Sequence, residues 1–249
     1  MDGRFLSQTD VINASRSFIC VRMMTYESES EAQILKTLWR PGAPLENTVF
    51  AILDPWGKPI IRGGRSPKFV FRDSSDMART MNEIARHYNS NKGSQTDSLP
   101  SVDTVRLAVD VAACDKRPLA IVVSSNKEER QRLAQALAPI AWSDQYIGKL
   151  IYTTGSSSDM RNVRGATISS GYVFVAPNQF GTEGTAIVQL AGNASRADLE
   201  RSAQQAIARY RPENVDHHTH MFMGHHAGIE WETAIPVTDP HAPPRRHHW

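Results

Sequence analysis

A hairpin that occurs twice limits the folds open to this chain more than any other feature. Residues 49–62 read V-F-A-I-L-D-P-W-G-K-P-I-I-R. An apolar run meets Asp54-Pro55-Trp56-Gly57, and a second short run, Ile60-Ile61, follows. Proline presets φ in a turn and glycine supplies positive φ, so the stretch reads as two strands joined by a tight turn. The plan returns later with a longer turn. Residues 172–176 (Y-V-F-V-A) lead into Pro177-Asn178-Gln179-Phe180-Gly181, and residues 186–190 (A-I-V-Q-L) come back. After each hairpin comes a polar helix start and a helix of apolar spacing, residues 74–88 in the first case and 195–210 in the second.

The elements between follow the same logic. Thr9-Asp10 opens a short helix to Ser15 or Arg16, and residues 18–24 read as a buried strand. Residues 28–38 carry Ala32, Ile34, Leu35 and Leu38 at helical spacing, with glutamates in the first turn where the helix dipole favours them. Met77, Met81, Ile84, Ala85 and Tyr88 form the apolar stripe of the helix over 74–88. Residues 89–101 (N-S-N-K-G-S-Q-T-D-S-L-P-S) have linker composition. The second half then reads helix (102–114), strand (118–124), helix from Asn126 to about Ala138, strand (149–154) and a polar loop or short helix (156–165). The second hairpin and the last helix close it. Asn126 with Glu129 makes a capping pair, and Ser195 with Asp198 opens the last helix. A β-α-β unit beside an antiparallel hairpin gives an α/β fold, a mixed sheet with helices on both faces.

That order, α-β-α-β-loop-β-β-α over residues 102–210, resembles the thioredoxin-like fold. Residues 174–181 and their counterpart 50–57 look like its hairpin. The resemblance implies two tandem copies: a shortened one over 1–88, a linker over 89–101 and a fuller one over 102–210, followed by a His-rich C-terminal segment over 211–249. The first copy has no equivalent of the 149–154 strand. The family's chemistry does not follow. Its oxidoreductases carry C-x-x-C where the first core strand enters the next helix, and the helix N-terminus there favours the attacking thiolate. This chain has Thr25-Tyr26-Glu27-Ser28 and Ser124-Ser125-Asn126-Lys127 at those places. The family's cis-proline position before the hairpin holds Asn47-Thr48 and Ser170-Gly171. Tyr26, Glu27 and Ser28 are then either an anion- or peptide-docking group at a helix start or simple capping residues.

Cysteine usage agrees. Cys20 and Cys114 are far apart and neither lies in C-x-x-C. Cys20 falls in an apolar run and is expected to be buried and inert, while Cys114 ends a helix and is expected to be partly exposed. Net charge is +2 and basic residues are scattered, which offers no field for nucleic acid or a membrane surface. The apolar runs are far short of the roughly 20 residues of a bilayer span. With no signal-like N-terminus, the expected compartment is the cytoplasm.

The second constellation is histidine. Eight of the nine histidines lie from His217 to His248. The dense part supplies His217, His218, His220, Met221, Met223, His225 and His226 as candidate metal ligands. Imidazole suits zinc, copper or nickel, and the thioethers tilt the set toward copper, including Cu(I). In an extended chain His218 and His220 share a face; in a helix His217 pairs with His220 and His218 with His225. The sequence leaves strand and helix open. Phe222, Ile229, Trp231, Ala234, Ile235 and Val237 are too many apolar groups for a solvated tail, so residues 228–237 are expected to dock. Gly63-Gly64-Arg65-Ser66-Pro67 lacks the spacing and lysine of a phosphate loop.

Three functional readings follow. The first is a non-catalytic tandem thioredoxin-like binding or assembly protein with a protein partner, assembly with a second copy being left open. The second is a metal-handling protein, for copper or zinc, using the His/Met cluster. The third and weakest is a single-cysteine thiol redox enzyme.

Overall fold

A six-residue strand buried on both faces sits at the centre of the larger unit. Residues 119–124 are L-A-I-V-V-S, and side chains of a strand alternate between faces. Here both faces are apolar, as a strand between two helical layers requires. Leu119, Ile121 and Val123 enter one core with the helix over Val105–Cys114, while Ala120 and Val122 enter the other with the helices over Lys127–Ala141 and Arg196–Arg209. All five are at most 1% exposed. Each of the larger ones contributes about 1.5–3 kcal/mol by leaving water, which makes this strand the anchor of the unit.

The structure, a computed structural model, describes residues 4–39, 44–45, 49–62, 64–88, 98–230 and 232–238. The chain divides into two compact units, Met1–Asn91 with Trp231–Trp249, and Lys92–Glu230. The first contains α1 (Thr9–Ser15), α2 (Glu29–Leu38), a hairpin of β1 (Ala51–Leu53) and β2 (Pro59–Arg62), and α3 (Ser74–His87). The second contains β3 (Ser101–Val102), α4 (Val105–Cys114), β4 (Leu119–Ser124), α5 (Lys127–Ala141) and β5 (Ile151–Gly155). Then come β6 (Val163–Arg164), β7 (Ser170–Pro177), β8 (Gly184–Ala191), α6 (Arg196–Arg209) and α7 (His217–His226).

The sheet of the second unit runs β3-β5-β4-β7-β8-β6. β3, β5 and β4 are parallel, β7 is antiparallel to β4 and to β8, and β6 is parallel to β8. The protein is therefore α/β with a mixed six-stranded sheet. The sequence places Ser101 in the linker and Val102 at a helix start, where the structure has β3. Thr104 explains the difference: its Oγ1 accepts from Leu107 N at 3.2 Å and starts α4 at Val105, leaving Ser101-Val102 to pair with β5. Thr153 Oγ1 donates to Val102 O at 2.7 Å and fixes that edge. Most of the 89–101 linker, residues 89–97, lies outside the described residues.

In the first unit the hairpin forms as expected. Asp54 accepts from Trp56 N and Lys58 N, and Gly57 sits at φ +83°. Phe5, Val11, Ala14, Ile52, Phe71, Met77, Ala78 and Met81 make one core; Tyr26, Ala32, Leu35 and Leu45 make another. The buried strand expected over 18–24 does not form. Ile19 and Val21 are 68% and 74% exposed, and Cys20 is exposed, not buried. Apolar composition alone does not make a strand, which needs a neighbour to share its hydrogen bonds. Tyr26 is structural: it is buried and donates from its hydroxyl to Leu45 O at 2.6 Å, while Ser28 caps α2. Ile235 packs beside this cluster and donates from its backbone to Tyr26 O at 2.9 Å. Of the apolar residues expected to dock over 228–237, Ile235 is the one that packs; Ile229, Ala234 and Val237 are exposed, and Trp231 lies outside the described residues.

Candidate functional site

Parallel strands of an α/β sheet present their C-terminal ends, and the helix starts that follow, as the natural place for a ligand. In the second unit that place is the end of β4 and β5. Ser124 is buried, and its Oγ donates to Glu129 Oε2 at 2.7 Å and accepts from Asn126 N at 3.1 Å. Asn126 Oδ1 accepts from Glu129 N at 3.0 Å and caps α5. Arg130 Nη1 donates to Ser124 O at 2.5 Å. The Ser124 hydroxyl, with Ser170 opposite, holds the Glu129 carboxyl below its usual range. At the end of β5, Ser156 donates from N and Oγ to Asp159 Oδ2 at 2.8 and 2.7 Å, and the Ser156 hydroxyl lowers that carboxyl. Ser125 and Ser157 hydroxyls meet at 3.4 Å across the two loops.

Beside this end lies a cleft of about 380 Å³, lined among others by Lys127, Arg130, Gln131, Gln135, Ser101 and Thr154. The helical residues recur at intervals of three and four with Ala134 among them, so α5 offers a mixed face along the cleft: two cations and two amides beside the apolar Ala134 and Leu99. Two cations with amides and hydroxyls suit an acidic or carbonyl-rich chain segment. No thiol stands here. Cys114 ends α4, five residues before β4 begins and so at the opposite end of the strands from Ser124; its Sγ lies 4.0 Å from Asp110 Oδ1. Cys114 is exposed, in the direction expected. Cys20 belongs to the other unit.

The histidine cluster is one helix. Asp216 accepts from His218 N at 3.0 Å and Thr219 N at 3.1 Å, and these bonds, the Thr219 hydroxyl first, hold its carboxyl below the usual range. Gly228, at φ +65°, ends α7 as Ile229 N reaches back to Gly224 O. The inner side is small. His220 Nε2 lies 2.9 Å from Gln179 O and its ring 5.1 Å from that of Phe180; a Cβ on Gly224 would meet Phe180 at 3.4 Å. Gly224 thus sits inside the helix where the Phe180 ring comes closest. His217, His218, Met221, Met223, His225 and His226 are exposed, while His220 and Gly224 are half-buried. The His226 ring lies 4.3 Å from that of Phe222, tilted by 60°, with the His225 ring 6.4 Å from that of His226. Among the described residues no three His, Cys, Asp or Glu side chains are gathered as a metal site.

The cleft was missed in the sequence, although Lys127, Arg130, Gln131 and Gln135 at helical spacing were its available signal. No helix among the described residues is long and apolar enough to cross a membrane. No family model, curated protein or solved structure matches this chain.

Proposed function

We propose that this chain is a binding or assembly protein built on two thioredoxin-like units, the first shortened, that work without a dithiol. The reading is supported by the strand order β3-β5-β4-β7-β8, three parallel strands followed by an antiparallel pair, which resembles that fold from 101 to 191. The single observation that carries it is the end of β4. There Ser124 and Asn126 spend their hydrogen bonds on capping and on Glu129, and beside them lies a cleft lined by Lys127, Arg130, two glutamines, Leu99 and Ala134, with no thiol in its lining. In the first unit the hairpin and α3 are the parts that correspond. A polar chain segment of a partner protein is the ligand this cleft suits.

The redox alternative makes an opposite prediction. Disulfide reduction by the purified chain, at a rate that falls when Cys20 or Cys114 is changed to serine, sinks the binding reading. Equal background rates in all three proteins support it.

A second reading, metal handling by copper or zinc, is favoured by one observation: α7 carries five histidines and two methionines and exposes all of them except His220. Elemental analysis of the untagged chain and of a chain ending after Arg211 tests it. About one metal per chain, lost on truncation, supports the reading. No metal in either protein removes it.

A further inference from the structure

The helical form of residues 217–226 sorts the candidate ligands. On a helix residues three and four apart are neighbours, with Cβ atoms about 5–6 Å apart, so one side chain can lie between two consecutive residues of the turn before it. Met221 has histidines at both of the preceding neighbour positions, His217 and His218. Side chains of a helix lean back over the turn before their own Cα, which carries the Met221 thioether toward those two imidazoles and away from the last turn. Met223 has His220 and His226 as its neighbours. His220 is engaged with Gln179 O and the Phe180 ring, and His226 with Phe222. By contrast, no side-chain hydrogen bond or ring contact engages His217 or His218 among the described residues, and both are exposed, as is Met221 at 57%.

We infer that the first turn of α7 binds Cu(I) through the Met221 thioether and the imidazoles of His217 and His218; this rests on the metal-handling reading. Two nitrogens and one soft sulfur select Cu(I) over Zn²⁺, which has no use for a thioether. The Asp216 carboxylate stands next to this turn and offsets the positive end of the helix dipole, which otherwise opposes a cation there. An exposed three-coordinate site exchanges its ion readily, which suits cargo passed to another soft donor better than a resident cofactor.

The test uses the full chain with Cys20→Ser and Cys114→Ser, because exposed thiolates compete for Cu(I). Anaerobic titration against a chromophoric Cu(I) chelator is expected to show one tightly held Cu(I) per chain. Met221→Leu keeps helix propensity and is expected to weaken binding about tenfold or more, the joint change of His217 and His218 to alanine at least as much. Met223→Leu is expected to stay within about twofold, and Zn²⁺ affinity to be untouched by Met221→Leu. If copper is bound but Met221→Leu leaves its affinity unchanged, or His225→Ala is the variant that loses it, the assignment is overturned while metal handling stands. If neither copper, zinc nor nickel binds, both fall together.

Discussion

Gly171 offers a sharp test of the register around the candidate site. It lies in β7 opposite Val123 and Ala191, one residue from the Ser124–Ser170 pair. Its φ is +135°, a conformation open to glycine and strained for any L side chain. A Cβ added there would fall on the Leu190 carbonyl oxygen, with Ala191 C and Gly192 N each 3.0 Å away. These are backbone atoms of the paired strand and cannot rotate aside. The backbone conformation costs about 1–3 kcal/mol and the overpacking about 1–3 kcal/mol more, so Gly171→Ala should destabilise the second unit by about 4 kcal/mol. Gly148 is the control. Its φ is +69°, but the nearest atom to an added Cβ is the Arg117 guanidinium nitrogen at 3.7 Å, so Gly148→Ala carries only the conformational term, about 1–2 kcal/mol. Amide exchange of peptides covering β4 and β7, followed across urea, reports the second unit separately from the first. Gly171→Ala exchanging no faster than Gly148→Ala would refute the β7–β8 register described here.

Other expectations are as direct. Thr153→Val removes the 2.7 Å bond to Val102 O and should cost about 1–2 kcal/mol, read as early loss of protection at 101–102. The Tyr152 hydroxyl is buried with no hydrogen-bond partner among the described residues, and burial pushes its pKa up, so Tyr152→Phe should stabilise by about 1 kcal/mol; a lower unfolding midpoint would show that the hydroxyl is satisfied. Asp76 is held at about 2 instead of 3.8, chiefly by the Arg72 guanidinium. A carboxyl depressed in the folded state stabilises above its unfolded value and loses that contribution as pH falls through the folded one. The stability gap between wild type and Asp76→Asn should therefore be full above 3.8 and close as pH drops to about 2.

Local signals told most of the second unit. The apolar run before Ser124, the Asn126–Glu129 pair and the Ser195–Asp198 box each fix an element through a bond visible in the structure. What escaped depended on partners. β3 is two residues of linker-like composition, made a strand by β5 and the Thr153 hydroxyl. α5 passes Pro139 and ends at Ala141, because buried Leu137, Ala138, Ile140 and Ala141 hold the last turn against the lost backbone bond. Residues 18–24 have strand composition without a strand beside them. The sequence left 217–226 open between strand and helix; the helix is started by Asp216, whose side chain caps it just ahead of the histidine run. The polar spacing along α5 is the one local sign of the cleft; its other wall is not local, since Ser101, Thr154 and the α5 face meet only after the sheet has ordered.

The binding reading is tested most directly by placing a photo-crosslinking residue at Gln131, in the cleft, and at Arg201, exposed on α6, in otherwise unchanged chains expressed in their native host. Discrete protein adducts from position 131, absent from position 201, are predicted. Adducts of equal yield from both positions, or from 201 alone, would contradict a partner-binding role for the end of β4 and the start of α5.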